Sequence, residues 1–504
     1  MIARRSGFAV LVLLGGGLLL LEAVTLRSTG IANYAGIAII VLTAGLIIVR
    51  SNLVKIGIWS AVGAAFTLPW NGIIFGGLRP GDGLILISLA AFISADIRGS
   101  VPRSPGWIRQ LTYAILIVAV VHVFAPVDKL YVIQRVIVGA NGVPTVQIQS
   151  NLGVAFKFIV GIAVTPLAFS YAVRHQPKVL RWLPTAMVLG TAVSGFIAFS
   201  DGLGVTHLGT TLTHVNFQLA REGGLTKHPN YLAASCILAL PIALWMAAQA
   251  NRRMRYLGII GAIGVTLGDY ATGSRGGAVC IVLGGAFAFA LIPYYRKRIL
   301  SVALAAGIAA AVIFAVVPGA GNALLKATRL GGGTTATAGS NAVRALVGAQ
   351  GVRDFKHSPI FGIGLQVADQ AQNVYLQELA SGGLLLFVAM LVYALGNLRL
   401  SISLMRYYDI AGALVACALS SAVFNYLEAD LTDRFFYVPE AIAAMLYTHW
   451  RSTHVPETDA PITLRPDSSG SGLTLAERVR LNLDKALVGR AATPLPPVAA
   501  SSQR

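Results

Sequence analysis

The sequence predicts an all-α, polytopic integral membrane protein, and three observations predict it. Of the 504 residues 56% are hydrophobic and only 12% charged, and mean hydropathy is +0.71, more apolar than a soluble core requires. The apolar residues fall into runs of about 20, the length a helix needs to cross roughly 30 Å of hydrocarbon. Strand-like alternation is absent, so helices must satisfy the backbone in lipid.

Fourteen runs qualify in chain order: 8–25, 31–49, 54–71, 81–97, 109–125, 153–173, 182–200, 231–249, 256–272, 276–293, 299–317, 375–396, 407–425 and 436–449. Pro69, Gly-rich flanks or short length make the third, fourth and last equally suited to re-entrant or tilted segments. The expected count is therefore about 12–14, within a polytopic domain spanning 1–449. The first run, behind Arg4 and Arg5, is expected to stay as an anchor, because Glu22 and Val24 precede no small-residue cleavage site.

Basic residues set the orientation. With the N-terminus cytoplasmic, the inner loops hold Arg50 and Lys55; Arg98, Arg103 and Arg109; Arg174, Lys178 and Arg181; Arg252, Arg253 and Arg255; Arg296, Lys297 and Arg298; and Arg399 and Arg406. The net charge of +19 is then mostly topology, and no nucleic-acid partner is expected. Cys236, Cys280 and Cys417 lie inside spans without CxxC spacing, which indicates neither a disulfide framework nor a metal site.

Three outer segments are too long for simple connectors: 126–152, 201–230 and the large loop 318–374. The last includes the flexible run Gly331–Thr335 and then turns helical around Ala342–Phe355. Long, partly structured loops on one face usually carry function. The inner side offers short loops and the tail 450–504, and no GxxxxGK[ST] motif indicates a nucleotide site. Within the tail, Thr474 and Glu477 form a capping box ahead of an amphipathic helix at about 474–488, suited to anionic lipid. The same composition also suits a disordered tail.

Two constellations concentrate cations beside glycine. Arg221-Glu222-Gly223-Gly224-Leu225-Thr226-Lys227-His228-Pro229-Asn230 ends an outer loop where a helix begins at Asn230 or Tyr231. A helix N-terminus beside two cations suits phosphate; Lys227, His228 and Asn230 are candidate ligand contacts, and snorkelling by Arg221 and Lys227 is the plain alternative. Thr272-Gly273-Ser274-Arg275-Gly276-Gly277 is a tight turn between spans that keeps Arg275 at the membrane surface. Its guanidinium can grip two phosphate oxygens or cap carbonyls, with Ser274 placed to orient it.

The third constellation is His357-Ser358-Pro359-Ile360-Phe361-Gly362-Ile363-Gly364, then Gln372-Asn373-Val374-Tyr375-Leu376-Gln377-Glu378-Leu379, with Gly382-Gly383-Leu384 beyond. An outer R..G....PN, a later SRG, a hPxxGxG turn and an NxYLQ.L...G helix start, in this order beside one large outer loop, resemble the O-antigen ligase and polysaccharide polymerase superfamily. The motifs cover roughly residues 220–385.

The resemblance implies a membrane glycosyltransferase that takes a glycan from a polyprenyl-pyrophosphate carrier and moves it to a glycan or lipid acceptor on the outer face of the cytoplasmic membrane. Its pyrophosphate-engaging arginines fall on Arg221 and Arg275, and a further one on Arg344. Membrane lipids and other polysaccharide-assembly proteins are implied partners. No cofactor is expected, and no metal, since no outer carboxylate pair has a divalent-metal pattern. The chain departs from the family where a His that deprotonates the acceptor hydroxyl would stand. That position is Gln372, and a carboxamide takes no proton near neutral pH. Gln372 can still orient the acceptor, with Asp369 or His357 as replacement base. Asn373 and Tyr375 complete the candidate acceptor contacts. Glu378, Glu428, Asp430 and Asp433 suit either contact with acceptor sugars or solvated outer charge. A lipid-linked oligosaccharide flippase and a non-catalytic assembly subunit remain alternatives; a flippase calls for an internal repeat and midplane charges, and none is evident.

Overall fold

A computed structural model describes residues 52–74, 79–95, 105–124, 131, 151–215, 221–292, 296–298, 300–301, 335–365, 373–427 and 433–454. All lie in the first of two units into which the chain divides, Met1–Val455. The expected spans 8–25 and 31–49, nearly all of 299–317 and the tail helix 474–488 lie outside them.

The protein is an all-α polytopic membrane protein, with no strand among the described residues. Its helices are α1 (Leu53–Thr67), α2 (Pro80–Ala95), α3 (Gly106–Phe124), α4 (Asn151–Phe158) continuing through a π turn into α5 (Thr165–His175), α6 (Val179–Gly202) and the short α7 (Leu208–Thr213). Then follow α8 (Pro229–Ala248), α9 (Arg252–Thr272), α10 (Arg275–Leu291), α11 (Thr335–His357), α12 (Val374–Leu404), α13 (Ile410–Leu427) and α14 (Val438–His454). Among the described residues five helices are long and apolar enough to cross a membrane: Gly153–His175, α6, α8, α12 and α13. At 15 and 16 residues, α1 and α2 reach only about 22–24 Å at 1.5 Å per residue; Pro69 stops α1 early.

The bundle is built around α8, which is buried on every side along almost its whole length. A helix apolar all round belongs inside other helices, and α6, α9, α10 and α13 enclose it. Where α6 crosses α9, small residues let the backbones touch: a Cβ on Gly195 would stand 2.1 Å from Gly264 O. The three cysteines are free and buried.

At one end of the bundle, basic side chains cap helix C-termini. Arg298 donates to Ala248 O, Arg255 Nε to Gln249 O at 3.2 Å, and Arg296 to Phe289 O at 3.1 Å and Ala290 O at 2.8 Å. Cations there meet orphan carbonyls and the negative end of the dipole. The opposite end gathers the start of α8, the end of α9, and the starts of α10 and α12.

The expected span 375–396 is a longer helix with a break. At Gly383 the backbone turns to φ +65°, ψ −163°, and the interrupted hydrogen bonds are completed from the Pro359–Gly364 turn. Ile363 N donates to Ala380 O (2.9 Å) and Gly364 N to Ser381 O (3.0 Å), while Leu384 N donates to Pro359 O (2.8 Å) and Leu385 N to Ile360 O (3.3 Å). Both glycine motifs are needed for this approach, since a Cβ on Gly383 would lie 2.2 Å from Ile360 O and one on Gly362 2.4 Å from Ser381 O. Irregular backbone at membrane depth persists only when protein satisfies it.

Candidate functional site

The site grows from three helix ends. His228 caps α8: its Nδ1 accepts from Asn230 N at 3.1 Å, and the helix starts at Pro229, whose missing N–H costs nothing there. The sequence placed this start one or two residues later. Arg221 bridges two helices, donating from Nε to Thr272 O at 2.8 Å and from its terminal nitrogen to Asn230 Oδ1. Glu222 N adds a bond to Ala271 O at 3.0 Å, so the Arg221–Glu222 segment closes the last turn of α9. The following turn is held by Gly72 N donating to Leu225 O (3.0 Å) and Lys227 N to Asn71 Oδ1 (3.0 Å). The Lys227 ammonium lies 4.7 Å from the Tyr231 ring centroid.

Arg275 opens α10, three residues after Thr272, the end of the turn that Arg221 closes. Ser274, placed in the sequence to orient this guanidinium, is the helix N-cap, accepting from Gly277 N at 3.2 Å. Serine hydroxyls bond a backbone N–H two or three residues on more readily than a side chain. Arg275 is instead held by Asn341, donating to its Oδ1 at 2.8 Å. Asn341 and Arg344 are three apart on α11 and share a face, and Arg344 is close enough to His228 to act on its charge. Burial first, then the nearby Arg221, Lys227 and Arg344, push the His228 imidazole down to about 3. It is neutral, with Nδ1 committed to the cap. Arg221, Lys227, His228, Asn230, Ser274, Arg275 and Arg344 therefore share one neighbourhood.

Asn373 and Tyr375 stand beside it with their polar groups holding backbone. Asn373 caps α12, accepting from Leu376 N at 3.1 Å and donating to Tyr426 O at 3.0 Å; Tyr375 donates to Ala422 O at 2.8 Å. They fasten the start of α12 to the end of α13, where Leu427 lies against Gly276, next to Arg275. His357 is not part of the cluster. It ends α11, 13 residues and so roughly 20 Å along the helix from Arg344, and stacks on Tyr131 at 3.8 Å between centroids. Asp369 and Gln372 lie outside the described residues.

Asp433 is not solvated charge. It is fully buried, paired with Arg79 and bonded by Asn71 Nδ2, the side chain whose Oδ1 receives Lys227 N. Arg434 pairs with Asp82 beside it. These four were missed as partners because each lies alone at a helix end, and only the fold brings 71–82 to 433–434. Asp-Arg directly ahead of an apolar run was the available signal. Glu378 is likewise buried, 4% exposed. Among the described residues no group of three His, Cys, Asp or Glu is arranged to hold a metal ion.

No protein-family model matches this chain, and no curated protein is similar to it.

Proposed function

We propose that this protein is a membrane glycosyltransferase that moves a glycan from a polyprenyl-pyrophosphate carrier to a glycan or lipid acceptor, in the manner of O-antigen ligases and polysaccharide polymerases. One observation carries the reading: cations far apart in sequence, Arg221, Lys227, Arg275 and Arg344, gather where α8 and α10 present their N-termini. Breaking the anomeric C–O bond of a glycosyl pyrophosphate builds negative charge on the leaving group. Fixed guanidinium groups and helix N-terminal dipoles aimed at that charge lower the barrier.

The parts of the cluster divide the work. Arg275, on a surface turn and bonded at one side by Asn341 among the described residues, keeps donors for phosphate oxygens. Arg221 spends two donors on Thr272 and Asn230, which fixes its plane, and contributes charge from that position. Neutral His228, with Nδ1 accepting in the cap, carries its proton on Nε2. It is a poor proton acceptor, because protonation would cost the cap and add a fifth positive charge to the four already gathered there.

The charge distribution supports an outer-face site in the cytoplasmic membrane. The end opposite the cluster bears Arg174, Lys178, Arg181, Arg252, Arg253 and Arg255, the inner-side bias expected of bacterial membrane proteins, with both termini cytoplasmic.

The test uses full-length protein in nanodiscs with an undecaprenyl-pyrophosphate oligosaccharide, candidate acceptors and EDTA, following glycan transfer by mass. Transfer that is lost in Arg221→Ala and Arg275→Ala supports the reading. Full activity in either variant removes that arginine from the mechanism.

A further inference from the structure

A second polar space lies beside the cation cluster and has the opposite chemistry. Between α12, α13 and the start of α14 is a cavity of about 180 Å³, walled by Tyr375, Tyr393 and Phe436 and carrying Glu378, Asn425 and Glu440. Glu378 is 4% exposed, and among the described residues no group hydrogen-bonds its carboxylate. Asn425 Oδ1 and Glu440 Oε2 are shut away from solvent with no partner among the described residues. Two buried unsatisfied acceptors and a nearly buried carboxylate around one cavity are costly unless a bound group supplies donors.

Among the described residues no Lys, Arg or His lines this cavity, so it is unsuited to pyrophosphate. It calls for a ligand rich in donors with apolar faces for the aromatic walls, which describes the hydroxyls and C–H faces of a sugar. Its position fits. Glu378 lies five residues beyond the Asn373 cap, about 7.5 Å along the helix. Asn373 is bonded to Tyr426 O, and the next residue, Leu427, packs on Gly276 beside Arg275.

We propose that this cavity receives the hydroxylic acceptor of the transfer and that the Glu378 carboxylate takes the proton of the attacking hydroxyl, an assignment resting on the glycosyltransferase reading above. The acceptor O–H proton passes to Glu378 as the oxygen bonds to the anomeric carbon. The C–O bond to the carrier breaks, and its electron pair leaves on the pyrophosphate beside Arg275 and Arg221. Glu378 then releases the proton to water. This supplies the base that Gln372 cannot be, from the fifth residue of α12, on its Tyr375 face.

The experiment compares wild type, Glu378→Gln and Glu378→Asp in nanodiscs, with an undecaprenyl-pyrophosphate oligosaccharide as donor and octyl glucoside as acceptor probe. The expected result is a fall in transfer by Glu378→Gln of about a hundredfold or more, the usual contribution of a positioned base. Donor affinity is unchanged, and Glu378→Asp recovers part of the rate. Wild-type transfer by Glu378→Gln, or equal loss of donor binding, overturns the assignment. In parallel, dicyclohexylcarbodiimide labelling of Glu378 is read by peptide mass with and without octyl glucoside. Protection by the glycoside supports the cavity even if the wild type transfers nothing, an outcome that would sink the transferase reading instead. Labelling unaffected by glycoside, or blocked by sodium chloride alone, overturns the cavity proposal.

Discussion

Replacing Gly383 by alanine tests the architecture most sharply, because one methyl group meets two independent obstacles. At φ +65° and ψ −163° the backbone occupies a region essentially reserved for glycine, and holding another residue there costs about 1–3 kcal/mol. The new Cβ would also stand 2.2 Å from Ile360 O, 2.4 Å from Ile360 C and 2.6 Å from Gly362 N. All three are backbone atoms with no rotamer to turn away, so the Pro359–Gly364 turn must retreat. Retreat lengthens the bonds from Leu384 N to Pro359 O and from Leu385 N to Ile360 O, each worth about 1 kcal/mol. The expected loss is about 3–5 kcal/mol. Gly348→Ala is the control: α11 is helical there with nothing within 4 Å of an added Cβ, so it should gain up to about 1 kcal/mol in helix propensity. Both are measured by SDS unfolding in mixed micelles, followed by fluorescence of the six tryptophans. A Gly383→Ala midpoint indistinguishable from wild type would refute the interlocked turn.

The neutral, capping His228 makes the cation-cluster end of the bundle acid-sensitive. Its folded pKa, about 3, lies below the usual unfolded value of about 6.5, so the unfolded chain binds the extra proton between them. Stability falls as pH drops through that window, by at most about 1.4 kcal/mol per unit, and His228→Asn, which keeps a cap, should flatten the profile. An unchanged profile in that variant removes the assignment. Asp433→Ala strands the Arg79 cation and should cost about 3–5 kcal/mol, as broken buried pairs do. The double change Asp433→Leu with Arg79→Met should recover much of it, and no recovery would show that the pair is not the cause.

Much of this fold is legible in the sequence because hydropathy and helix punctuation are local. The runs at 182–200, 231–249, 256–272 and 276–293 became α6, α8, α9 and α10 with ends shifted by a few residues, and Pro229 and Ser274 mark helix starts in plain sight. The break in α12 was not legible as such. Hydropathy runs straight through Gly382-Gly383, and what completes the broken backbone is a turn some 20 residues away. The same holds for charge. Arg221, His228 and Arg344 stood out by glycine context and motif order, and the fold brings them together. Asp433 and Glu378 suited either acceptor contact or solvated charge in the sequence, because their burial depends on neighbours from other helices. Ser274 was misjudged for a local reason: a hydroxyl three residues before a free backbone N–H caps that N–H first.

The most direct measurement of the central claim places the protein in proteoliposomes with a fluorescent undecaprenyl-pyrophosphate oligosaccharide in both leaflets and an acceptor glycan outside. Transfer by mass and movement of the donor between leaflets are followed together, in wild type and Arg275→Ala. The account predicts transfer without net donor movement, lost in Arg275→Ala. Donor movement between leaflets without transfer, equally arginine-dependent, would contradict it and make the protein a carrier of the same lipid.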